Sequence, residues 1–181
     1  MKDLSLHILD IAQNSITAKA SLIQIAIAED TVADTYTITI TDNGCGIPPE
    51  MLAKVTDPYT TSRTTRKVGL GIPLFKQNAE RTGGQLTLES EVGKGTVLTA
   101  VFVHSNIDRP ILGDIAGVVV ILVSANPKID FVYSHSVNSN RYVFDTREVR
   151  EALDGLPLNE PSVIPLLKEM IASNLEELQI G

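Results

Sequence analysis

Hydrophobic and polar positions recur with a helical period near the start of the chain and with a strand period directly after it. Leu6, Leu9 and Ile16 lie at helical spacing, which predicts a helix of about four turns over residues 4–20. The next run, residues 21–28, alternates and is rich in isoleucine. That alternation is typical of a strand with one buried face.

Similar patterns predict the elements that follow, up to residue 103. Isoleucines alternate with threonines over residues 35–41, which predicts a second strand. Two prolines at 48–49 lie near the first turn of a short helix. A helix is predicted over residues 69–84, where a glycine pair closes it. Two further strands are predicted over residues 85–92 and 93–103.

The pattern changes after residue 104. Residues 106–114 contain proline and glycine and predict a linker. The apolar run at 115–125 has the β-branched residues of a strand, but its length and its flanking residues favour a buried helix, which we prefer. Two strand-like runs flank Asn-Ser-Asn at 138–140 and predict a hairpin, and two helices are predicted to end the chain.

Composition and charge narrow the class of protein. The 181 residues are 43% hydrophobic, which suits one domain or one domain with an appendage. Net charge is −7, and residues 105–181 carry 11 acidic against 6 basic side chains. Because nucleic-acid binding requires a basic face, we expect no nucleic-acid partner.

The chain carries no feature of a secreted or membrane protein. Its single cysteine cannot form an internal disulfide, which fits a reducing compartment. The N-terminus lacks the apolar core and cleavage site of a signal peptide. The longest apolar run has nine residues, whereas a helix that spans a bilayer needs about 20. We therefore predict a cytoplasmic protein with no membrane partner.

Four short motifs follow one another in the first hundred residues. They are DIAQNS at 10–15, DNGCGI at 42–47, GLGI at 69–72 and GKGT at 93–96. Each motif alone is frequent by chance, and the last is not a P-loop because its lysine is not followed directly by serine or threonine. The order and the spacing of the four therefore carry the argument.

Together the motifs resemble the GHKL superfamily, which includes gyrase, the heat-shock chaperone ATPases, histidine kinases and MutL-type mismatch-repair ATPases. DPYTTSR at 57–63 and ERTGGQLTLESEVGKGTVLTAVF at 80–102 resemble histidine-kinase catalytic domains in particular. The resemblance implies a two-layer α/β sandwich, with a mixed sheet that carries helices on one face, and it implies ATP and Mg²⁺ as ligands. We predict this domain at residues 1–104 and a small α/β extension at 105–181.

The resemblance assigns the base of the nucleotide to the DNGCGI motif. Asp42 would accept a hydrogen bond from the adenine amino group, since a buried carboxylate needs such a donor. Gly44 and Gly46 would let the backbone pass close to the base and sugar, with Ile47 beside them. Thr96, from a neighbouring strand, would share a water with Asp42 and the base. The competing interpretation of the motif is an ordinary Asp-Asn-Gly turn.

The resemblance assigns the phosphates to two helices. Asn14 would offer its amide oxygen to Mg²⁺, an ion that prefers hard oxygen ligands and substrate phosphates. A solvent-facing asparagine is the alternative. Gly69, Leu70 and Gly71 precede a helix whose free N–H groups would bind phosphate oxygens.

The segment before this helix departs from the histidine-kinase pattern. Residues 57–68 have little apolar content and no period, which predicts a loop. Lys67 stands where histidine kinases usually have another glycine. Arg63, Arg66 or Lys67 would meet the γ-phosphate. For any single one of the three, a solvated side chain is the competing interpretation.

Asp10 is the second departure from that pattern. It lies one helical turn before Asn14, on the same face of the helix. The MutL and chaperone branches place a glutamate that activates water at this position, whereas histidine kinases usually place an asparagine. Asp10 would be a general base with a shorter reach. A solvated or capping acid is the alternative.

Three functions remain open, in this order of preference. The first is a kinase-like domain that transfers phosphate to another protein in trans, as the anti-sigma-factor serine kinases do, because the thirteen residues before Asn14 leave no room for a phosphoacceptor helix. The second is an ATPase in which Asp10 activates water. The third is a non-catalytic nucleotide sensor whose acidic extension docks a protein partner. A homodimer is left open.

Overall fold

The computed structural model describes residues 3–55 and 71–179, and these residues form one six-stranded sheet covered by helices. The strands are β1 (Leu22–Asp30), β2 (Thr35–Asp42), β3 (Gln85–Glu91), β4 (Gly95–Val103), β5 (Asp130–Val137) and β6 (Asn140–Asp145). The helices are α1 (Leu4–Thr17), α2 (Pro49–Leu52), α3 (Gly71–Arg81), α4 (Ile115–Ala125), α5 (Thr146–Leu153) and α6 (Ile164–Leu178).

The sheet is mixed. Its strands follow the order β3-β4-β2-β1-β5-β6. Strands β1 and β5 pair in parallel, and the other neighbours pair antiparallel. The expected mixed sheet of an α/β sandwich is therefore confirmed.

The helices lie on one face of the sheet, as expected. Ile23, Ile25 and Ile27 of β1 are buried, and the residues between them are partly or fully exposed. Because successive strand residues point to opposite faces, the odd-numbered positions of β1 face the helices. In the helix layer α3 contacts α1, α1 contacts α4, and α4 contacts α6. The core lies between this layer and the sheet.

Helix α1 occupies the middle of the helix layer. Its buried side chains include Leu4, Ile8 and Ile11, which face the sheet at helical spacing. The helix ends at Thr17, three residues before the predicted end, and Lys19 there adopts a left-handed backbone conformation with φ 61°. The chain then turns directly into β1.

The ambiguous apolar run forms α4, so the preferred helix is confirmed. The carboxylate of Asp114 caps the helix by accepting a hydrogen bond from the Gly117 N–H at 2.9 Å. Eight of the eleven residues of α4 are buried, because α1 and α6 flank the helix while the sheet lies beneath it. Burial on most sides explains why the run shows no helical period.

The extension continues the sheet of the first hundred residues. Strands β5 and β6 form the predicted hairpin, whose turn places Asn138 in the left-handed region with φ 55°. Strand β5 lies beside β1, with Ile23 opposite Phe131 and Ile27 opposite His135. The domain boundary at residue 104 stays a prediction.

A buried carboxylate joins the extension to the rest of the sheet. Glu29, at the end of β1, is 2% exposed. Nε2 of His135 on β5 donates to one oxygen of Glu29 at 2.6 Å, and Nε2 of His104 donates to the other at 2.9 Å. The hydroxyl of Tyr133 lies 2.9 Å from Nδ1 of His135. Removing one partner of such a network leaves a buried polar group unsatisfied, which is costly.

Within residues 3–55 and 71–179, the helices are all too short or too polar to cross a lipid bilayer. This finding agrees with the absence of a long apolar run in the sequence.

Asp114 generates a stability prediction. We expect Asp114→Ala to lower the free energy of unfolding by about 1 kcal/mol at pH 7, because α4 loses the acceptor for Gly117 N–H. That hydrogen bond lowers the pKa of Asp114, and Lys168 acts in the same direction. The contribution of the carboxylate is therefore present above about pH 4 and is lost as the pH falls through the folded pKa. Urea unfolding at pH 7 and pH 3 measures both effects.

Asp114→Asn is the matched control. Asparagine is also a good cap, so this variant should stay close to the wild type at pH 7. Equal stability of Asp114→Ala and the wild type at pH 7 would contradict the capping role.

Candidate functional site

A row of polar side chains crosses three strands at one end of the sheet. Asp42, the last residue of β2, is opposite Thr96 of β4, and Thr96 is opposite Ser90 of β3. The buried positions Ile38 and Ile40 precede Asp42 at a spacing of two. Alternation therefore places Asp42 and its row on the face that carries the helices.

Two donors hold the carboxylate of Asp42. The hydroxyl of Ser15, on α1, donates to Oδ2 at 2.5 Å. The backbone N–H of Gly44 donates to Oδ1 at 2.9 Å. These bonds fix the orientation of the carboxylate, while its remaining lone pairs can accept from a ligand.

Ser90 connects the row to the DNGCGI motif. The N–H of Ile47 donates to its hydroxyl oxygen at 2.7 Å, and the hydroxyl donates to the carbonyl oxygen of Gly95 at 2.9 Å. The hydroxyl oxygen of Thr96 lies 2.8 Å from the hydroxyl oxygen of Ser90. Ser90 thus holds the end of the segment that leads from β2 into α2.

A cavity of about 280 Å³ opens beside this row, between α1, α2, α3 and the sheet. Its walls are mostly apolar, and its polar side chains are few. A cavity with this composition is typical of a small-molecule site. The lining residues are Ile11, Asn14, Ser15, Ala18, Ile40, Asp42, Gly46, Ile47, Pro48, Met51, Val55, Ile72, Leu88, Thr96 and Leu98.

The glycines of the DNGCGI motif permit close backbone contacts. At Gly44 a Cβ atom would lie 2.8 Å from the Cβ of Ala18. Gly46 has φ 79°, and a Cβ there would lie 2.2 Å from the carbonyl oxygen of Glu91. The second contact excludes any side chain at Gly46. The requirement for glycine therefore comes from the approach of α1 and β3 to the motif.

The structure places eight of the predicted site residues in or beside the cavity. Asn14, Asp42, Gly46, Ile47 and Thr96 line it. Gly44 lies next to this set and bonds to the carboxylate of Asp42, while Gly71 and Asp10 lie at the edge formed by α1 and α3. Five predicted residues lie outside the described part of the chain: Arg63, Arg66, Lys67, Gly69 and Leu70.

Asp10 faces the start of α3. A Cβ atom added at Gly71 would lie 3.5 Å from the Cβ of Asp10. Asp10 and Asn14 lie on one face of α1, a helical turn apart. The two side chains therefore border the side of the cavity at which α3 begins.

The donor set can be compared with the needs of a metal ion. Among residues 3–55 and 71–179, no three His, Cys, Asp or Glu side chains group together as a metal site would require. A single amide such as Asn14 fits Mg²⁺, which keeps several waters and binds mainly through the phosphates of its substrate.

Sequence reasoning missed Ser15 and Ser90. Ser15 follows Asn14 directly in the DIAQNS motif, and Ser90 precedes the GKGT motif. Both hydroxyls matter because of their partners, Asp42 and Thr96, which lie on other elements. The two predicted strands at 85–92 and 93–103 are adjacent in sequence, and an antiparallel pairing between them is the signal that could have placed Ser90 beside Thr96.

The family assignment follows from comparison with known proteins. Residues 2–106 match the family described as histidine kinase-, DNA gyrase B- and HSP90-like ATPases. This match covers more than half of the chain, and the chain belongs to this family. The expected GHKL relationship is confirmed.

Curated relatives share only part of their length with this chain. Sensor histidine kinase ZraS of Salmonella typhimurium is 36% identical over 72 residues, which cover 40% of this chain and 15% of that protein. Sporulation kinase C of Bacillus subtilis is 32% identical over 95 residues, which cover 51% of this chain and 22% of that protein. The chain thus spans less than a quarter of the length of either relative.

Solved structures show the same fold. The ATPase domain of Aquifex aeolicus MutL, solved with ADP, aligns with a TM-score of 0.50 and 15% identity, covering 78% of this chain and 63% of that one. The N-terminal domain of a DNA repair protein aligns with a TM-score of 0.55 and 15% identity, covering 79% and 52%. Each alignment covers more residues than the predicted first domain contains, so both extend beyond residue 104.

Two glycines with similar backbone conformations generate a prediction. Gly46 and Gly93 have φ 79° and 84°, but a Cβ at Gly93 would meet nothing within 4 Å. Gly93→Ala should cost only the left-handed strain, about 1 kcal/mol. Gly46→Ala should cost clearly more, on the order of 3 kcal/mol or above, because its Cβ meets backbone. Urea unfolding compares the two, and equal losses would refute the close contact at Gly46.

Proposed function

We propose that the chain binds Mg-ATP in the cavity beside Asp42 and transfers the γ-phosphate to another protein. The adenine lies against Asp42, and the triphosphate extends toward Asn14 and the start of α3. One observation carries the proposal: among the described residues that line this apolar cavity there is one fixed carboxylate, Asp42, and with Ser15 and Thr96 it forms the polar end of the cavity, which we call the inner end.

The chemistry of the inner end supports adenine as the base. Asp42 accepts two hydrogen bonds within the chain and retains lone pairs toward the cavity. A carboxylate at the end of an apolar cavity is stabilised by a further donor, and the 6-amino group of adenine is one. Apolar side chains such as Met51 and Leu88 form walls against which a flat base can pack.

The opposite side of the cavity suits phosphates. Helix α3 starts there, and the N–H groups of a helix start attract anions. The amide oxygen of Asn14 would hold the Mg²⁺ that neutralises the phosphates. The basic residues Arg63 and Lys67 are proposed to approach the γ-phosphate from the segment before α3.

Phosphoryl transfer requires positioning and charge neutralisation more than covalent chemistry from the protein. The similarity to a sensor histidine kinase and to a sporulation kinase supports a protein as the phosphate acceptor. We propose that this acceptor is supplied in trans, and that the acidic extension contributes to docking it. Cytoplasmic location remains part of the proposal.

The position of Asp10 favours a second candidate function, ATP hydrolysis. Asp10 borders the start of α3, where the terminal phosphate would lie. A carboxylate at that point can take a proton from an attacking water. In this case the nucleotide state, rather than a phosphorylated partner, is the output of the protein.

Asp42→Asn tests the proposed base site. We expect Mg-ATP affinity to fall by about ten- to hundredfold, because a hydrogen bond to a charged acceptor is lost. Calorimetric titration with Mg-ATP and Mg-ADP measures the change. Asp108→Asn alters an exposed carboxylate far from the cavity and should leave affinity unchanged. Equal Mg-ATP affinity of Asp42→Asn and Asp108→Asn would contradict the assignment of the adenine site to Asp42.

The fate of the γ-phosphate separates the two functions. With labelled ATP and co-purified proteins, the kinase proposal expects label on a protein, and the ATPase proposal expects inorganic phosphate. Under the ATPase proposal, Asp10→Asn should lower phosphate release by roughly a hundredfold or more while binding persists. Phosphate release that is insensitive to Asp10→Asn would exclude Asp10 as the base.

A further inference from the structure

The three hydrogen bonds of Ser90 determine where the proton of Thr96 points. A serine hydroxyl has one proton to donate and two lone pairs that accept. Ser90 donates its proton to the carbonyl oxygen of Gly95 and accepts from the N–H of Ile47. All three contacts are hydrogen bonds at the same time only when the remaining partner, the hydroxyl of Thr96 at 2.8 Å, donates to Ser90, and we take this fully bonded arrangement.

This arrangement makes Thr96 an acceptor toward the cavity. Its only proton is directed to Ser90, which lies behind it and does not line the cavity. Asp42 is an acceptor as well, and the proton of Ser15 is directed to Asp42. The polar side chains at the inner end of the cavity, Ser15, Asp42 and Thr96, thus all present lone pairs to a ligand.

We propose that Ser90 is a positioning residue that sets the base selectivity of the cavity. Ser90 takes the proton of the Thr96 hydroxyl, so that Thr96 can only accept a hydrogen bond from a ligand. The inner end therefore suits a purine whose 6-amino group donates hydrogen bonds. A purine with a 6-oxo group brings a second acceptor to the same place and is disfavoured. The inference rests on the proposed nucleotide site and adds the residue that directs its selectivity.

Ser90 also has a structural role, which the test must separate from selectivity. Its bond to Ile47 holds the DNGCGI segment, and loss of that bond would weaken every nucleotide alike. The direction of the Thr96 proton, in contrast, changes the affinities for 6-amino and 6-oxo purines in opposite directions. The ratio of two affinities therefore reports the proposed role.

The experiment compares ATP with inosine triphosphate, which carries a 6-oxo group in place of the 6-amino group. Dissociation constants are measured with Mg²⁺ for the wild type and for Ser90→Ala. In Ser90→Ala the Thr96 hydroxyl is free to turn its proton into the cavity. We expect the preference of the wild type for ATP to fall by about three- to tenfold, the range that one hydrogen bond supports. Ser90→Thr keeps the hydroxyl and should retain the preference.

Thr82→Val is the control, because it also removes one hydrogen-bonded hydroxyl, here from the turn between α3 and β3. Thr82 donates to the carbonyl oxygen of Ala79 and accepts from the N–H of Val103, remote from the cavity. This variant should lose stability without any change in the affinity ratio. Thermal unfolding of both variants confirms that each is folded under the binding conditions.

A double-mutant cycle makes the test specific. In a Thr96→Val background no hydroxyl is left to direct, so Ser90→Ala should have no further effect on the ratio. Equal losses of ATP and inosine triphosphate affinity in Ser90→Ala would overturn the inference and leave the nucleotide site intact. A wild type that binds neither nucleotide would overturn the proposed function itself.

Discussion

The carboxylate of Asp42 is the constraint on which the candidate site depends. It stands where β2 leaves the sheet, and α1 and the following turn each give it one hydrogen bond. Asp42 is partly buried, and its two bonds keep the carboxylate in one orientation toward the cavity. The close approach of the chain at Gly44 and Gly46 provides this, since it brings the turn against α1 and β3.

Helix α1 links the site to the rest of the fold. Its buried face packs on the sheet, and its last turns carry Asn14 and Ser15 to the cavity. Helix α3 flanks it on one side, and α4 of the extension flanks it on the other. The extension thus supports the helix that holds Asp42, and the bond from His135 to Glu29 joins the two parts at the opposite end of β1.

Periodicity predicted β1 and β2 well, because each has one buried face. The characteristic order of the motifs selected Asn14, Asp42 and Thr96 as candidates, and the structure places all three in the lining of one cavity. Their contact with a nucleotide stays a prediction. The parallel pairing of β5 with β1 has no local signal, since the two strands are far apart in sequence. The roles of Ser15 and Ser90 depend on strand register and on the direction of single protons, which a sequence does not display.

A crystal structure with a non-hydrolysable ATP analogue and Mg²⁺ tests the central claim most directly. The account predicts the adenine between Met51 and Leu88, with its amino nitrogen about 3 Å from a carboxylate oxygen of Asp42 and its phosphates toward Asn14. A nucleotide bound elsewhere, or a base whose amino group faces away from Asp42, would contradict it.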